Sequence, residues 1–360
     1  MAGRGKKILV ITLAGIGDTL LATPFIHELR ANFPDATIDA LVMWAGSVDV
    51  LSGNPHLNRV HYKNFFQTGR RAALKFLLGL RPEKYDISIN THPQSRPQYR
   101  IAARVIGAPV RLSHRYECSG LLDHFLVNGT LPQDYAKHTI EHNLDFLPLL
   151  GARRLLASHE MELYLSKEEE GQAADFLAKH ALTQRKKLGM HVGSGGTKNL
   201  PLKRWPLPNY VELVKRLNQV RPDISVLLFG GPEEQPAHAS ILAASPGGPT
   251  LVAETKNLRQ TAALMKRCDS FLSVDTALMH VAAAVKVPKQ IVIEAFTLNP
   301  TNLPFGNPYT LIPNPAIAGR NLEYYRYDGG DIKGTREELV RVMSSVTVDA
   351  VYEAVTKALA

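Results

Sequence analysis

Residues 7–32 read KILVITLAGIGDTLLATPFIHELRAN, and the way that stretch changes character decides the fold. Lys7 to Leu13 is a short apolar run rich in β-branched residues. Ala14-Gly15-Ile16-Gly17-Asp18 interrupts it, and apolar residues then recur at helical spacing from Thr19 to Asn32. A strand, a glycine turn and a helix in that order open a βα unit. Thr37 to Met43 and Tyr85 to Asn90 read as further strands, the second preceded by a helix over Gly69 to Leu80. Such alternation requires a parallel sheet covered on both faces, and so a doubly wound α/β domain. His138 to Leu150 reads as the helix that closes it, before a strand-like segment around Met161 to Leu165 and a charged helix from Lys167 to His180.

The pattern then restarts. Lys187 to Val192 reads as a strand followed by a Gly-rich loop, Pro208 to Val220 as a helix, and Ile224 to Phe229 as a strand ending in Gly230-Gly231-Pro232. Ser270 to Val274 and Gln290 to Ile293 add strands on either side of a helix over Ala277 to Val285. The expected fold class is therefore α/β, with two Rossmann-like doubly wound domains facing a central cleft where ligands bind. The first domain is expected over residues 1–165 and the second over 166–345. The helix of 346–360 is free to pack on either, and packing back on the N-terminal domain is the expectation.

A chain of 360 residues that is 45% hydrophobic and 21% charged suits two globular domains and excludes a disordered or fibrous protein. Cys118 and Cys268 lie too far apart for a metal knuckle or a disulfide scaffold, which points to a reducing, cytoplasmic setting. The apolar run after the basic N-terminus is too short for a signal peptide, and none approaches the roughly 20 residues of a membrane span. Any membrane contact is then peripheral. The formal charge of +9 is concentrated, because Arg59 to Arg115 holds twelve Lys and Arg against only Glu83 and Asp86. That cluster suggests an anionic partner, and no recognition motif makes the partner a nucleic acid.

Three loops carry chemistry. In the first, Gly15 and Gly17 admit close backbone approach and Asp18 stands where a carboxylate caps helix amides. Leu20 occupies the place of the third glycine of a dinucleotide fingerprint, which argues against a nicotinamide-dependent oxidoreductase. In the second, His191-Val192-Gly193-Ser194-Gly195-Gly196-Thr197-Lys198 offers amides and hydroxyls to a phosphate without the ending of a Walker loop. Lys203-Arg204-Trp205-Pro206 comes next, with Trp205 read as core and Lys203 as a flexible cation for a departing diphosphate. In the third, Ser273 to Ala284 runs a buried strand into a helix whose first amides, at Thr276, Ala277 and Leu278, form an anion site. There Asp275 is either an N-cap or a ligand contact, and His280 either an interior histidine or a ligand contact.

These ordered motifs resemble the ADP-heptose:lipopolysaccharide heptosyltransferases, glycosyltransferases of the GT-B type, over nearly the whole chain. Lys7 to Pro24 looks like the family's opening strand and Gly-x-Gly-Asp turn. His191 to Pro206 is similar to its His-x-Gly-Ser segment ending in Lys-x-Trp-Pro, and Ser273 to Ala284 to its Asp-Thr-Gly-x-x-His helix start. Gly230-Gly231-Pro232-Glu233-Glu234 looks like its Gly-Gly-Pro turn. Two departures stand out. Ala277 replaces the family's usual Gly, and Phe296-Thr297-Leu298-Asn299-Pro300 replaces its Gly-Pro-Thr-x-Pro loop.

The resemblance implies an inverting transfer of heptose or a related sugar from an ADP-linked donor to a lipopolysaccharide inner-core hydroxyl, without a metal site or a cofactor beyond the nucleotide-sugar co-substrate. Asp18 would be the general base and Lys203 the catalytic cation. Ser194, Gly195, Asp275, Thr276, Ala277 and His280 would hold the donor's diphosphate and sugar, Glu233 and Glu234 its nucleoside side, and Leu258 would flank the adenine. Gly15, Gly17, Arg59 and Arg96 would meet an anionic glycan or glycolipid acceptor, with Arg70 to Arg81 available to an anionic membrane surface. A transferase of the same fold with another acceptor, and a non-catalytic nucleotide-sugar-binding protein, are the alternatives.

Overall fold

The computed structural model describes residues 5–196, 200–326 and 330–360; Thr197 and Lys198 of the second loop lie outside these. The chain divides into two compact units, Met1–Tyr164 with Tyr327–Gly330, and Leu165–Arg326 with Asp331–Ala360.

The first unit holds six parallel strands, β1 Lys7–Thr12, β2 Thr37–Val42, β3 Arg59–Tyr62, β4 Ile87–Asn90, β5 Val110–Arg115 and β6 Gly129–Pro132, in the order β3-β2-β1-β4-β5-β6. The second holds β7 Lys186–His191, β8 Ile224–Phe229, β9 Thr250–Val252, β10 Ser270–Ser273, β11 Gln290–Ile293 and β12 Tyr309–Ile312, in the order β9-β8-β7-β10-β11-β12. Both are the same doubly wound order, and in both the winding reverses beside the first strand, between β1 and β4 and between β7 and β10. Their central strands are buried because helices cover both faces, as in β8, all six residues of which are buried, whereas the edge strands β3, β6 and β12 are largely exposed.

Several local readings are revised. The helix expected over Thr19–Asn32 is two helices, Ile16–Leu21 and Thr23–Asn32. Pro24 has no N–H to give, and the Thr23 hydroxyl donates to the Leu20 carbonyl instead at 2.7 Å. Pro148 likewise separates the helix Thr139–Leu144 from a 3-10 turn over Pro148–Leu150. Met161–Leu165 forms no strand. Backbone amides in and before it are taken by side chains: Leu155 and Leu156 donate to the Glu28 carboxylate, each at 2.9 Å, and Glu162 donates to the Thr23 hydroxyl. Burial of Glu28 opposes its charge, but those amides and His159 outweigh it and hold its pKa below the usual carboxylate range.

The last helix, Val348–Ala358, expected on the N-terminal domain, is part of the second unit. Its apolar stripe, Val351, Val355 and then Leu359, is buried in the core of the second unit with Leu213, Leu217 and Ile291. The period of that stripe matches the groove left by the helix Leu207–Val220 and the edge-ward strands of the same unit. Among the described residues no helix is long and apolar enough to cross a membrane.

Candidate active site

In an open α/β sheet ligands collect outside the carboxyl ends of the strands where the winding reverses. In the first unit that crevice is built by the loops after β1 and β4. The backbone N–H of Gly15 donates to Asp18 Oδ2 at 2.6 Å, and Thr19 returns both its amide and its hydroxyl to the Gly15 carbonyl. Asp18 is thus the third residue of its helix and closes the N-terminal turn upon itself. A side chain on Gly15 would sit 2.8 Å from that same carboxylate oxygen, so a larger residue there would push the Asp18 carboxylate out of its place. Gly17 is buried within the helix start.

Gln94, after β4, ties the two loops together by accepting from Leu13 N–H and donating to the carbonyls of Ile11 and Thr91. Its own amide donates to Tyr116 Oη at 2.6 Å. Arg96 caps the following helix, Pro97–Ile106, on the same carboxyl edge. Burial raises the pKa of Tyr99, with Arg96 lowering and Asp18 raising it, which places all three groups within electrostatic reach of one another. Tyr116 is pushed up by burial as well, and Asp18 adds to that shift.

Arg59 does not join this group. It opens the edge strand β3, and its guanidinium is 3.4 Å from Glu83, the carboxylate that also holds Lys7 of the first β1 position. It therefore belongs with the amino ends of the strands, away from the Asp18 turn, and its expected contact with an acceptor beside Gly15 and Gly17 is withdrawn.

In the second unit the loops after β7 and β10 build the corresponding crevice. Lys203, at the end of a 3-10 turn Leu200–Lys203, is 6% exposed, and its Nζ lies 3.3 Å from Oδ2 of Asp275, itself 7% exposed. Thr297 donates to the same oxygen at 2.8 Å. Burial would raise the Asp275 pKa, but Lys203, Thr297 and His280 together lower it, so the carboxylate stays ionised. Lys203 is accordingly a fixed, partly neutralised cation rather than the flexible one expected from its sequence context.

Thr276, not Asp275, is the N-cap of the helix Ala277–Ala284; its hydroxyl accepts from Met279 N–H. The amides of Ala277 and Leu278 have no hydrogen-bond partner among the described residues, and Ala277 is half-buried where its neighbours are buried. Two open amides at the positive end of a helix dipole are an anion site. His280 is buried one turn further along.

The loop after β7 is held from below. The Ser194 hydroxyl donates to the Leu200 carbonyl at 2.8 Å and accepts from Arg204, whose guanidinium lies 3.6 Å from Glu234 and 3.8 Å from Glu233. Ser194 and Arg204 thus fix the loop's shape, and Gly195 stays exposed beside them. Glu234 is buried and caps its own turn through Gly231 N–H, while Glu233 is exposed after β8. Leu258 opens the helix after β9, half-buried, two strands from the point of reversal. Trp205 is core, donating its indole N–H to the Val346 carbonyl.

Sequence reasoning does not single out Thr297, Gln94, Tyr99 or Arg204. It also misses a third cluster: His27 Nδ1 is 2.7 Å from Glu162, and His56 lies within 4.8 Å of both ligand atoms. Only the tertiary fold joins these positions, since 135 residues separate His27 from Glu162.

Residues 73–294 match the family described as Glycosyltransferase family 9 (heptosyltransferase). The chain belongs to glycosyltransferase family 9, the heptosyltransferases. It is similar to lipopolysaccharide heptosyltransferase 2 of Salmonella typhimurium, 27% identical over 294 residues that span 78% of this chain and 81% of that one. Lipopolysaccharide heptosyltransferase 3 of Escherichia coli K12 is 27% identical over 285 residues, 76% and 78% of the two chains. Among solved structures, a glycosyltransferase family 9 protein of Veillonella parvula superposes with a TM-score of 0.78 at 22% identity, covering 100% of this chain and 98% of the other. ADP-heptose lipopolysaccharide heptosyltransferase II of E. coli does so with a TM-score of 0.71 at 23% identity, covering 98% of each. The shared GT-B fold and the family membership make this chain a glycosyltransferase.

Proposed function

We propose that this family 9 enzyme transfers a heptose, or a closely related sugar, from an ADP-linked donor to a hydroxyl of an anionic lipopolysaccharide inner core, with inversion at the anomeric carbon. The donor diphosphate binds the second unit at the open amides of Ala277 and Leu278, with Lys203 as a preorganised counter-charge. That helix start is the observation carrying the reading. As the glycosidic bond to the diphosphate breaks, negative charge grows on the leaving oxygen, and fixed amides and a cation stabilise it more in the transition state than in the ground state. Asp18 accepts the proton of the attacking acceptor hydroxyl. The Gly15 amide orients its carboxylate, and Arg96 beside it favours an acidic acceptor.

No step is assigned to a metal, because amides and Lys203 answer the diphosphate charge and the sequence has no Asp-x-Asp pair. Glu233, Glu234 and Leu258 line the route to the nucleoside, by their place after β8 and β9. The acceptor reading also places the enzyme at the cytoplasmic face of a membrane. The helix Arg70–Gly79 supports this, exposing Leu74 and Leu78 among Arg70, Arg71 and Lys75.

The test is a side-by-side melting series with ADP-, UDP- and GDP-linked sugars, followed by transfer assays with the donor that binds. A selective rise with an ADP-linked sugar is expected, and at a donor concentration of 100 Kd it amounts to about 2.7 kcal/mol of added stability. Equal response to all three, or to none, overturns the donor assignment.

A further inference from the structure

The cluster of His27, His56 and Glu162 belongs to the first unit but not to its carboxyl-edge crevice. His27 stands on the helix Thr23–Asn32, where it is half-buried between the buried Ile26 and Glu28. His56 lies in the turn that enters β3 at its amino end, and Glu162 in the strandless segment that closes the unit.

His27 Nδ1 lies 2.7 Å from Glu162 Oε1 and His56 Nε2 3.7 Å from Oε2, so each imidazole faces its own oxygen of one carboxylate. The rings stack with centroids 3.7 Å apart and planes 15° from parallel. One nitrogen of each and an oxygen of Glu162 fall within 4.8 Å of one another. Donors on a tetrahedral zinc, at bond lengths of about 2.0–2.1 Å, stand about 3.4 Å apart. The two observed separations bracket that spacing, and imidazole turns about a broad terminal torsion that lets both rings aim at one ion. A hydrogen bond accounts for the His27 contact; the His56 contact is too long for one.

The surroundings hold these donors in place. The His56 N–H donates to Asn54 Oδ1 at 2.8 Å and the Glu162 N–H to the Thr23 hydroxyl at 2.9 Å. Tyr164 Oη donates to Glu162 Oε2 at 2.9 Å and lies 3.0 Å from His56 Nε2, orienting the carboxylate from outside as a second shell does. Arg30, the cation on the same helix, is committed elsewhere, to the carbonyls of Pro34, Ala36 and His56 and to Asn58. Side-chain exposures of 29% for His27, 14% for His56 and 23% for Glu162 leave the donors within reach of an ion from solvent.

We propose that His27, His56 and Glu162 bind one zinc ion, with water in the fourth position. Two imidazoles and a carboxylate suit zinc, whereas magnesium and calcium take shells of oxygen. The ion's role is structural. Met161–Leu165 has no strand ladder to hold it, and a shared metal ties it to a helix and a turn that precede it by more than 100 residues. The inference is independent of the donor and acceptor readings, and no step of sugar transfer passes through this ion.

The experiment is calorimetric titration of the untagged full chain, freed of metal by a chelator that is then removed, with zinc, magnesium and calcium chlorides. A single zinc site is expected, at least about a hundredfold tighter than either of the other ions, and zinc should raise the melting temperature. Cobalt in its place should show the strong visible bands of a four-coordinate ion. Glu162→Gln and His56→Gln should each weaken zinc by at least about tenfold, since even second-shell partners are worth 10–100-fold. His180→Gln, which alters an exposed histidine of the second unit, should bind as the parent does. X-ray absorption at the zinc edge reads the unmutated chain directly, and two imidazole ligands are expected there. Zinc held no more tightly than magnesium, fewer than two imidazoles at the metal, six-coordinate cobalt, or undiminished affinity in either folded variant overturns the proposal.

Discussion

The two crevices stand at the same place in the same strand order, yet they handle their acidic residue in opposite ways. In the first unit Asp18 is a short-range device: its carboxylate closes the turn it belongs to, one hydrogen bond from Gly15, and stays partly open to solvent. In the second, Asp275 is a long-range device, buried against a lysine 72 residues away and a threonine 22 residues on. The carboxylate proposed to take a proton is accessible and oriented, and the one that holds a cation still is buried and paired. The same topology thus builds two different carboxylate settings through the loops at the strand ends, not through the strands.

The largest expected effect lies on the first side. Asp18→Asn keeps an acceptor for the Gly15 amide, so the fold and donor affinity should survive while kcat falls by about 10²–10⁴, the usual worth of a general base. A rate within a factor of two of the parent would reduce Asp18 to a cap and erase the contrast. On the second side, Lys203→Ala leaves Asp275 buried without its counter-charge and is expected to cost about 3–5 kcal/mol of stability by chemical denaturation, besides donor binding. Replacing both members with apolar residues should restore most of the stability and none of the donor binding. If the single variant is as stable as the parent, the pair is no anchor.

Acid should separate the units next. Burial pushes His114 in the first unit and His191 in the second down to about 3, and His92 in the first well below its ordinary value. A folded pKa below the unfolded one means that the unfolded chain takes up the proton first. The contribution is complete above roughly pH 6.5 and is lost as pH falls toward 3, at about 1.4 kcal/mol per pH unit for each histidine. With two such groups against one, the first unit should lose protection faster by about that amount, read by amide hydrogen exchange between pH 6.5 and 5.5. Equal loss in both would show that these rings do not control local stability. The smallest expected effect is that of Thr297→Val, which removes one hydrogen bond to Asp275 and should cost about 1 kcal/mol of stability. No change there would leave Lys203 as the sole support of the carboxylate.

Legibility from residues alone divides along the same line. β8 and β11 run over the residues that hydrophobic pattern predicts, because buried parallel strands are continuous apolar runs bounded by turn residues. The Asp18 turn is equally plain, since its geometry depends on four consecutive residues. Asp275 is visible as a candidate, but its partner Thr297 is hidden in a loop whose departure from the family's pattern reads only as a loss. The residues expected to meet an acceptor are the least legible. Charge counting groups Arg59 with Arg96, whereas strand direction sends one to the amino edge and the other to the carboxyl edge. Composition gives the sign of a region and says nothing about which end of a strand carries it. Met161–Leu165 fails as a strand for a related reason: amides in and before it are claimed by Thr23 and Glu28, more than 120 residues earlier.

A methyl group on Gly193 would collide with the Glu234 carboxyl, and one on Gly230 would come within 2.7 Å of the Glu234 Cβ. The glutamate side chain therefore fills a notch that two missing side chains create, locking the loops after β7 and β8 into one piece. Over evolutionary time these three positions should drift as a set. A descendant that enlarged either glycine would need a shorter residue at 234 in the same lineage.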